Sequence, residues 1–116
     1  MKTRKELKEE FKQMKYPMGV FQLRNLTNNK VFIGSSTDLK AAWPALKLQL
    51  DIGIHSNAQL QNDWSTTGAG NFVYEILEEI KESPEKKLNY EKEVKILEEM
   101  MIQELQPFGE KGYHHF

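Results

Sequence analysis

The sequence contains no cysteine. That excludes a disulfide framework, a thiolate nucleophile and a cysteine-based zinc site. It is also what a reducing compartment permits. No apolar run approaches the length needed to span a membrane. The N-terminus, Met1 to Lys15, alternates charges and has no apolar signal-peptide core, so a cytoplasmic location is expected. Internal repeats, low-complexity tracts and linkers are absent as well.

What remains is an ordinary globular composition. The chain has 116 residues, 39% apolar and 28% charged, enough for one domain with a modest core. The net charge of −1 conceals an asymmetry. Residues 1–50 carry 10 basic and 4 acidic side chains, and residues 51–116 carry 6 and 13. A basic half can face phosphates, but the charges also suit solvated helix faces.

Leu7, Phe11 and Met14 recur at helical spacing, so residues 1–16 read as an amphipathic N-terminal helix. Pro17 ends it, because the residue before a proline avoids helix. The main domain is then expected over 17–116. Two strands are expected over Met18–Leu26 and Lys30–Ser35, from Val20, Phe21, Val31, Phe32 and Ile33. Thr27-Asn28-Asn29 suits the turn between them, since Asn tolerates positive φ.

Ser35 to Asp38 offers several helix caps. Leu39, Trp43, Leu46 and Leu50 then form an amphipathic stripe that Gly53 ends. Pro44 interrupts it, so Leu39–Trp43 is expected to be irregular, with regular helix from Pro44 onward. A short helix capped by Ser56 follows, with Leu60 and Trp64 inward and Gly68 as its stop. Asn71–Glu79 reads as a third strand. Ser83-Pro84 opens a long helix to about Leu105, with Leu88, Val94, Leu97, Met101 and Leu105 inward. Trp43, Trp64, Met100 and Met101 read as core. Three strands with helices packed on them make an α+β fold.

The hairpin carries Gly19-Val20-Phe21 on its first strand and Phe32-Ile33-Gly34 on its second. Ser35-Ser36, an amphipathic helix, Gly53-Ile54-His55-Ser56, Leu60-Gln61 and Asn71-Phe72 follow in order. Glu98 precedes Met101-Ile102 by three residues. This ordered set resembles the GIY-YIG nuclease domain family from about Met18 to Tyr113. The resemblance implies a three-stranded antiparallel sheet flanked by helices, to which the N-terminal helix is an addition.

It also implies a site. In that family each motif half supplies a tyrosine hydroxyl, and an arginine on the next helix meets the phosphate. A histidine or tyrosine often sits one turn later, and a glutamate on the last long helix binds a divalent metal such as Mg²⁺. The reaction is phosphodiester hydrolysis in DNA. Metal and arginine neutralise charge developing on the phosphate.

Carried over residue by residue, the two tyrosines fall on Phe21 and Phe32, which cannot donate, accept or carry a proton. The arginine falls on Ala42, and the residue one turn later on Leu46. Glu98 matches the metal carboxylate, and Mg²⁺ accepts a single carboxylate because it keeps most of its waters. His55 matches a histidine of some members. It is either a base near neutral pH or a surface or capping residue. A C-terminal asparagine of the family falls near His114. Phe21, Phe32 and Glu98 are therefore expected to converge on one side of the sheet.

Three functions follow as alternatives. The first is a GIY-YIG domain with a degenerate site that binds nucleic acid weakly through Arg24, Lys30, Lys40 and Lys47. The second is a divergent Mg²⁺-dependent DNA endonuclease using Glu98. The third is a protein-interaction module, monomeric or weakly dimeric through Leu7, Phe11 and Met14.

Overall fold

A computed structural model describes residues 17–81 and 89–115. The expected N-terminal helix over 1–16, and Ser83, Pro84 and Leu88, lie outside the described residues. Among the described residues no helix is long and apolar enough to cross a membrane.

Strands β1 (Met18–Asn25), β2 (Val31–Ser36) and β3 (Phe72–Ile80) form one antiparallel sheet in the order β2-β1-β3. Helices α1 (Leu39–Asp51) and α2 (Ala58–Thr67) lie between β2 and β3 in sequence, and α3 (Tyr90–Leu105) follows β3. The fold is α+β, as the sequence implied.

The hairpin closes where Asn29 adopts a φ of 63°, with Asn25 N–H donating to the Lys30 carbonyl at 2.9 Å. Residues opposite one another in an antiparallel pair share a face, and neighbours along a strand alternate. Phe21 lies opposite Gly34 and Leu23 opposite Phe32, so these four share one face. Val20 lies opposite Ser35 and Gln22 opposite Ile33 on the other. Buried Phe21 and Leu23 join Leu39, Leu46 and Leu50 of α1, Leu60 and Trp64 of α2, Phe72 and Tyr113 in one core. Helix α3 covers the opposite face of β1 and β2, where Val94 is its buried residue.

Two motif glycines are required by close approach. A Cβ on Gly19, whose φ is +153°, would come within 2.0 Å of the Glu78 carbonyl oxygen, at the bulge where β1 and β3 shift register. A Cβ on Gly34 would meet the Phe21 ring at 2.5 Å. The second glycine thus seats the aromatic ring of the first motif directly against the β2 backbone.

Helix α1 departs from expectation. It runs unbroken from Leu39 to Asp51, with Pro44 inside it. Asp38 caps it, its side chain accepting from Ala41 N–H at 3.1 Å. The ladder starts with Ala42 N–H on the Asp38 carbonyl. Pro44 therefore removes a single bond, the one to the Lys40 carbonyl, on an exposed residue that water can reach. Buried Leu39, Leu46 and Leu50 hold both sides of the proline to the same core, which outweighs that loss.

Other ends shift by smaller amounts. Asn57, not Ser56, caps α2, accepting from Leu60 N–H at 3.0 Å. Asn89 caps α3 at Tyr90, and the expected start at Ser83-Pro84 lies outside the described residues. Met100 is 61% exposed and Leu105 44% exposed, so neither belongs to the core.

The tail that the sequence left undescribed is structural. Tyr113 is fully buried, and its N–H donates to the Val31 carbonyl at 3.0 Å. Its hydroxyl donates to Asp63 at 2.7 Å and accepts from buried Asn25 at 3.0 Å. Burial pushes this phenol up to about 12. The tail thereby lines the open edge of β2 and ties it to α2.

Candidate functional site

A cleft of about 520 Å³ opens beside β2, at the outer edge of the sheet. It brings together Phe21, Phe32, Ala42, Leu46, His55, Glu98 and His114, which the sequence singled out, and adds Lys95. The expected placement on one side of the sheet needs correction. Phe21 and Phe32 stand on the α1 face. Ser35, which hydrogen-bonds Glu98, stands on the α3 face. β2 is the edge strand, lined on its outer side only by the tail at Val31 and Ile33, so groups from both faces meet around its rim.

The wall from α1 is apolar but for Gln49. Ala42, Ala45, Leu46 and Gln49 lie within about 100° of helix surface, given 100° per residue. Leu46 is 7% exposed and Phe21 6% exposed. Lys40 and Lys47 lie about 140–160° around the helix from Ala42, on the far side from the cleft. Lys47 is also engaged by Asp51 at 2.8 Å. Arg24 stands on the α3 face of β1 and pairs with Glu75 at 2.8 Å. The hydrogen bond and charge of Arg24 hold the Glu75 carboxyl below its usual range. Lys30 sits 5.9 Å from the Tyr113 ring centroid. These four cations therefore do not line the cleft.

The polar wall comes from α3, β2 and the tail. The Ser35 hydroxyl donates to Glu98 Oε1 at 3.0 Å. Lys95 Nζ lies 3.6 Å from the same oxygen, and the Glu98 side chain is 15% exposed. Lys95 is thus the cation of the cleft, and it already has an anionic neighbour. Sequence reasoning missed it, although an i,i+3 partner of Glu98 on one helix face is readable from spacing.

The two histidines bracket Phe32. His55 meets its ring edge-on with centroids 5.2 Å apart, and His114 stacks on it at 5.3 Å and 9°. His55 Nδ1 accepts from Asn57 N–H at 3.0 Å, and His114 Nε2 accepts from Ile33 N–H at 2.8 Å. A backbone N–H can only donate, so each ring spends its lone-pair nitrogen on the backbone. The other nitrogen then carries the proton. Burial lowers both pKa values below the ordinary histidine range. His55 is in effect a capping residue with an N–H donor to spare. Of the two roles the sequence left open for it, base or capping residue, these bonds favour the capping one.

A metal on Glu98 can be tested against the donors present. Among the described residues no group of three or more His, Asp or Glu side chains is arranged to hold an ion. A caged ion such as structural zinc does not fit. A single carboxylate facing a cleft does fit Mg²⁺, which retains several waters.

No family model matches the chain. Intron-associated endonuclease 1 of Enterobacteria phage T4 is 39% identical over 62 residues, which are 53% of this chain and 25% of that protein. The chain thus matches only a quarter of that relative's length. Among solved structures, the catalytic domain of homing endonuclease I-TevI is 34% identical, with a TM-score of 0.61, over 77% of this chain and 88% of that one. A point mutant of the same catalytic domain aligns at 30% identity and a TM-score of 0.65, over 78% and 84%. The strand order, the two seated glycines and these likenesses agree, and the chain belongs to the GIY-YIG nuclease domain family.

Proposed function

We propose that this GIY-YIG domain has lost efficient phosphodiester hydrolysis and keeps weak contact with nucleic acid, DNA first. One observation carries the reading. The cleft presents phenyl, phenyl, methyl and isobutyl groups at Phe21, Phe32, Ala42 and Leu46, where the family's chemistry needs two phenols, a guanidinium and an imidazole or phenol.

Each loss removes a definite task. Without phenols at Phe21 and Phe32, no hydroxyl there can relay a proton or donate to a phosphate oxygen. Without arginine at Ala42, developing phosphate charge meets a methyl group. Removing one well-placed donor costs about 10²–10³-fold in rate, though losses within one catalytic unit do not multiply. Lys95 offers a point charge without the planar fork of arginine, and Glu98 already draws on it. Neither histidine can take a proton from water without giving up its backbone bond. A divalent ion, held by Glu98, would supply Lewis-acid neutralisation of the phosphate.

Arg24, Lys30, Lys40 and Lys47 remain as surface cations for nucleic acid. Two of them face acidic partners, so contact through them is weak and sensitive to salt.

Glu98 favours a second reading, a divergent Mg²⁺-dependent endonuclease, because its carboxylate opens on the cleft. One experiment separates the two. Purified protein with Mg²⁺ or Mn²⁺ is incubated with plasmid and single-stranded DNA beside a Glu98→Ala control. No cleavage above the control is expected. Robust metal-dependent cutting, abolished by Glu98→Ala, would make the second reading the right one.

A further inference from the structure

The substitutions that remove phosphate chemistry also create something. Phe21, Phe32, Ala42 and Leu46 give the lining of a cleft of about 520 Å³ an apolar part. Its rim keeps polar groups with unspent capacity. Glu98 Oε2 has no hydrogen-bond partner among the described residues, and Oε1 takes the Ser35 hydroxyl. Gln49 is exposed and lines the opposite wall. His55 presents an N–H, since its other nitrogen holds Asn57 N–H.

The charges in the cleft cancel. Lys95 stands beside Glu98, and both histidines use their acceptor nitrogens on backbone. An ionised phosphate placed against this lining would shed water with no unengaged cation to receive it, which is costly. A neutral planar ring would not incur that cost. Its face can lie against the apolar lining beside the Phe32–His114 stack, and its edge can donate to a carboxylate. Ionised glutamate only accepts hydrogen bonds, so the best ligand edge is one with an amino group, as on cytosine.

We propose that the cleft receives an unpaired, amino-bearing nucleobase of a single-stranded nucleic acid, in the space where relatives of this fold would place a phosphate. This rests on the reading of the domain as a weak nucleic-acid binder. It locates the recognition in the base and leaves the surface cations a supporting part.

The test compares a fluorescein-labelled deoxycytidine oligonucleotide with an abasic oligomer of equal length, by anisotropy at two salt concentrations. Both carry the same phosphates, and only one carries bases. The base-bearing oligomer should bind about tenfold tighter or more, the gain that one stacked base brings. Both should weaken as salt rises, while their ratio holds.

Ala42→Leu fills the apolar part without adding charge and should erase the ratio. Its urea midpoint confirms that the fold is kept. Equal binding of the two oligomers overturns the proposal while leaving a phosphate-tracking surface in place. Binding of neither also overturns it, and a preference that survives Ala42→Leu does the same. None of these outcomes bears on the cleavage assay, which alone decides whether hydrolysis has been lost.

Discussion

His114 lies flat against Phe32, ring planes 9° apart and centroids separated by 5.3 Å. The same imidazole accepts the Ile33 N–H at 2.8 Å. An unpaired N–H on an edge strand invites another chain, and here a side chain satisfies it. One residue thus closes the β2 edge and roofs one face of the cleft aromatic.

Replacing it should be felt in stability. His114→Ala leaves a half-buried N–H without its acceptor and strips the stack from Phe32. A loss of about 1–3 kcal/mol is expected, read as a lower urea midpoint with an unchanged slope. His114→Asn can still offer an acceptor oxygen to Ile33 and should recover part of it. A midpoint unchanged in His114→Ala would show that water replaces the ring at no cost.

The histidines also set a pH dependence whose sign follows from their environment. Burial lowers the pKa of His55 and of His114, the nearby Glu98 and Glu99 only partly offsetting this for His114. The unfolded chain then binds protons more readily than the folded one. Stability is full above the unfolded histidine value of about 6.5 and falls as pH drops below it. Asp51 and Glu75, held low by hydrogen bonds from Lys47 and Arg24, add their own loss only in the carboxylate range. Denaturation midpoints between pH 7.5 and pH 5, about the range where histidine titrates, should therefore decline. His114→Phe should flatten that decline, and an equal decline in the variant would disprove the assignment.

Pro44 offers a gain in stability. It lacks the N–H that would reach the Lys40 carbonyl, in the second turn of a helix whose two halves share one core. Pro44→Ala restores that bond. Alanine is favoured over proline by about 3 kcal/mol in a helix interior. Greater freedom of the unfolded chain returns about 1 kcal/mol. A net stabilisation of about 1–2 kcal/mol is expected, visible as a higher thermal midpoint. A lower midpoint would mean that the helix is shaped around the proline ring.

Much of this architecture was legible in the residues. β-branched and aromatic runs gave the hairpin, the Leu39-Trp43-Leu46-Leu50 stripe gave α1, and the ordered motif gave the family. The reading failed where a local rule met tertiary packing. Pro44 lacks one helix bond, but buried Leu39 and Leu46 decide the helix. The resemblance reached Tyr113 and His114, but their roles were not legible, because they depend on contacts with Asn25, Asp63 and Ile33, far away in sequence. The one-sided site was an error of register. Counting alternation from Gly34 to Ser35 would have put Glu98's partner on the opposite face.

Rebuilding the missing groups tests the substituted cleft from the other direction. Phe21→Tyr, Phe32→Tyr, Ala42→Arg and Leu46→His together return two phenols, a guanidinium and an imidazole to the positions that line it. The structure permits this better than the sequence did. Helix α1 is continuous through Pro44, so Ala42, expected on an irregular segment, stands one turn from Leu46 on the cleft face. Gly34 carries no Cβ against the Phe21 ring tip, where the restored hydroxyl would sit. Leu46→His is the costly member, because Leu46 is 7% exposed and packs in the core. A loss of about 2–3 kcal/mol is expected from that substitution, and Pro44→Ala can be added to offset it. The rebuilt variant should nick plasmid DNA with Mg²⁺ at a rate at least about tenfold above the unmodified protein, the least that one restored charge-stabilising donor should give. Glu98→Ala in the same background should remove the gain. Nicking that persists without Glu98 would show that the restored groups work independently of that carboxylate. A folded variant, checked by its urea transition, that cuts no faster than the original would show that the lost hydrolysis lies elsewhere than in these four side chains.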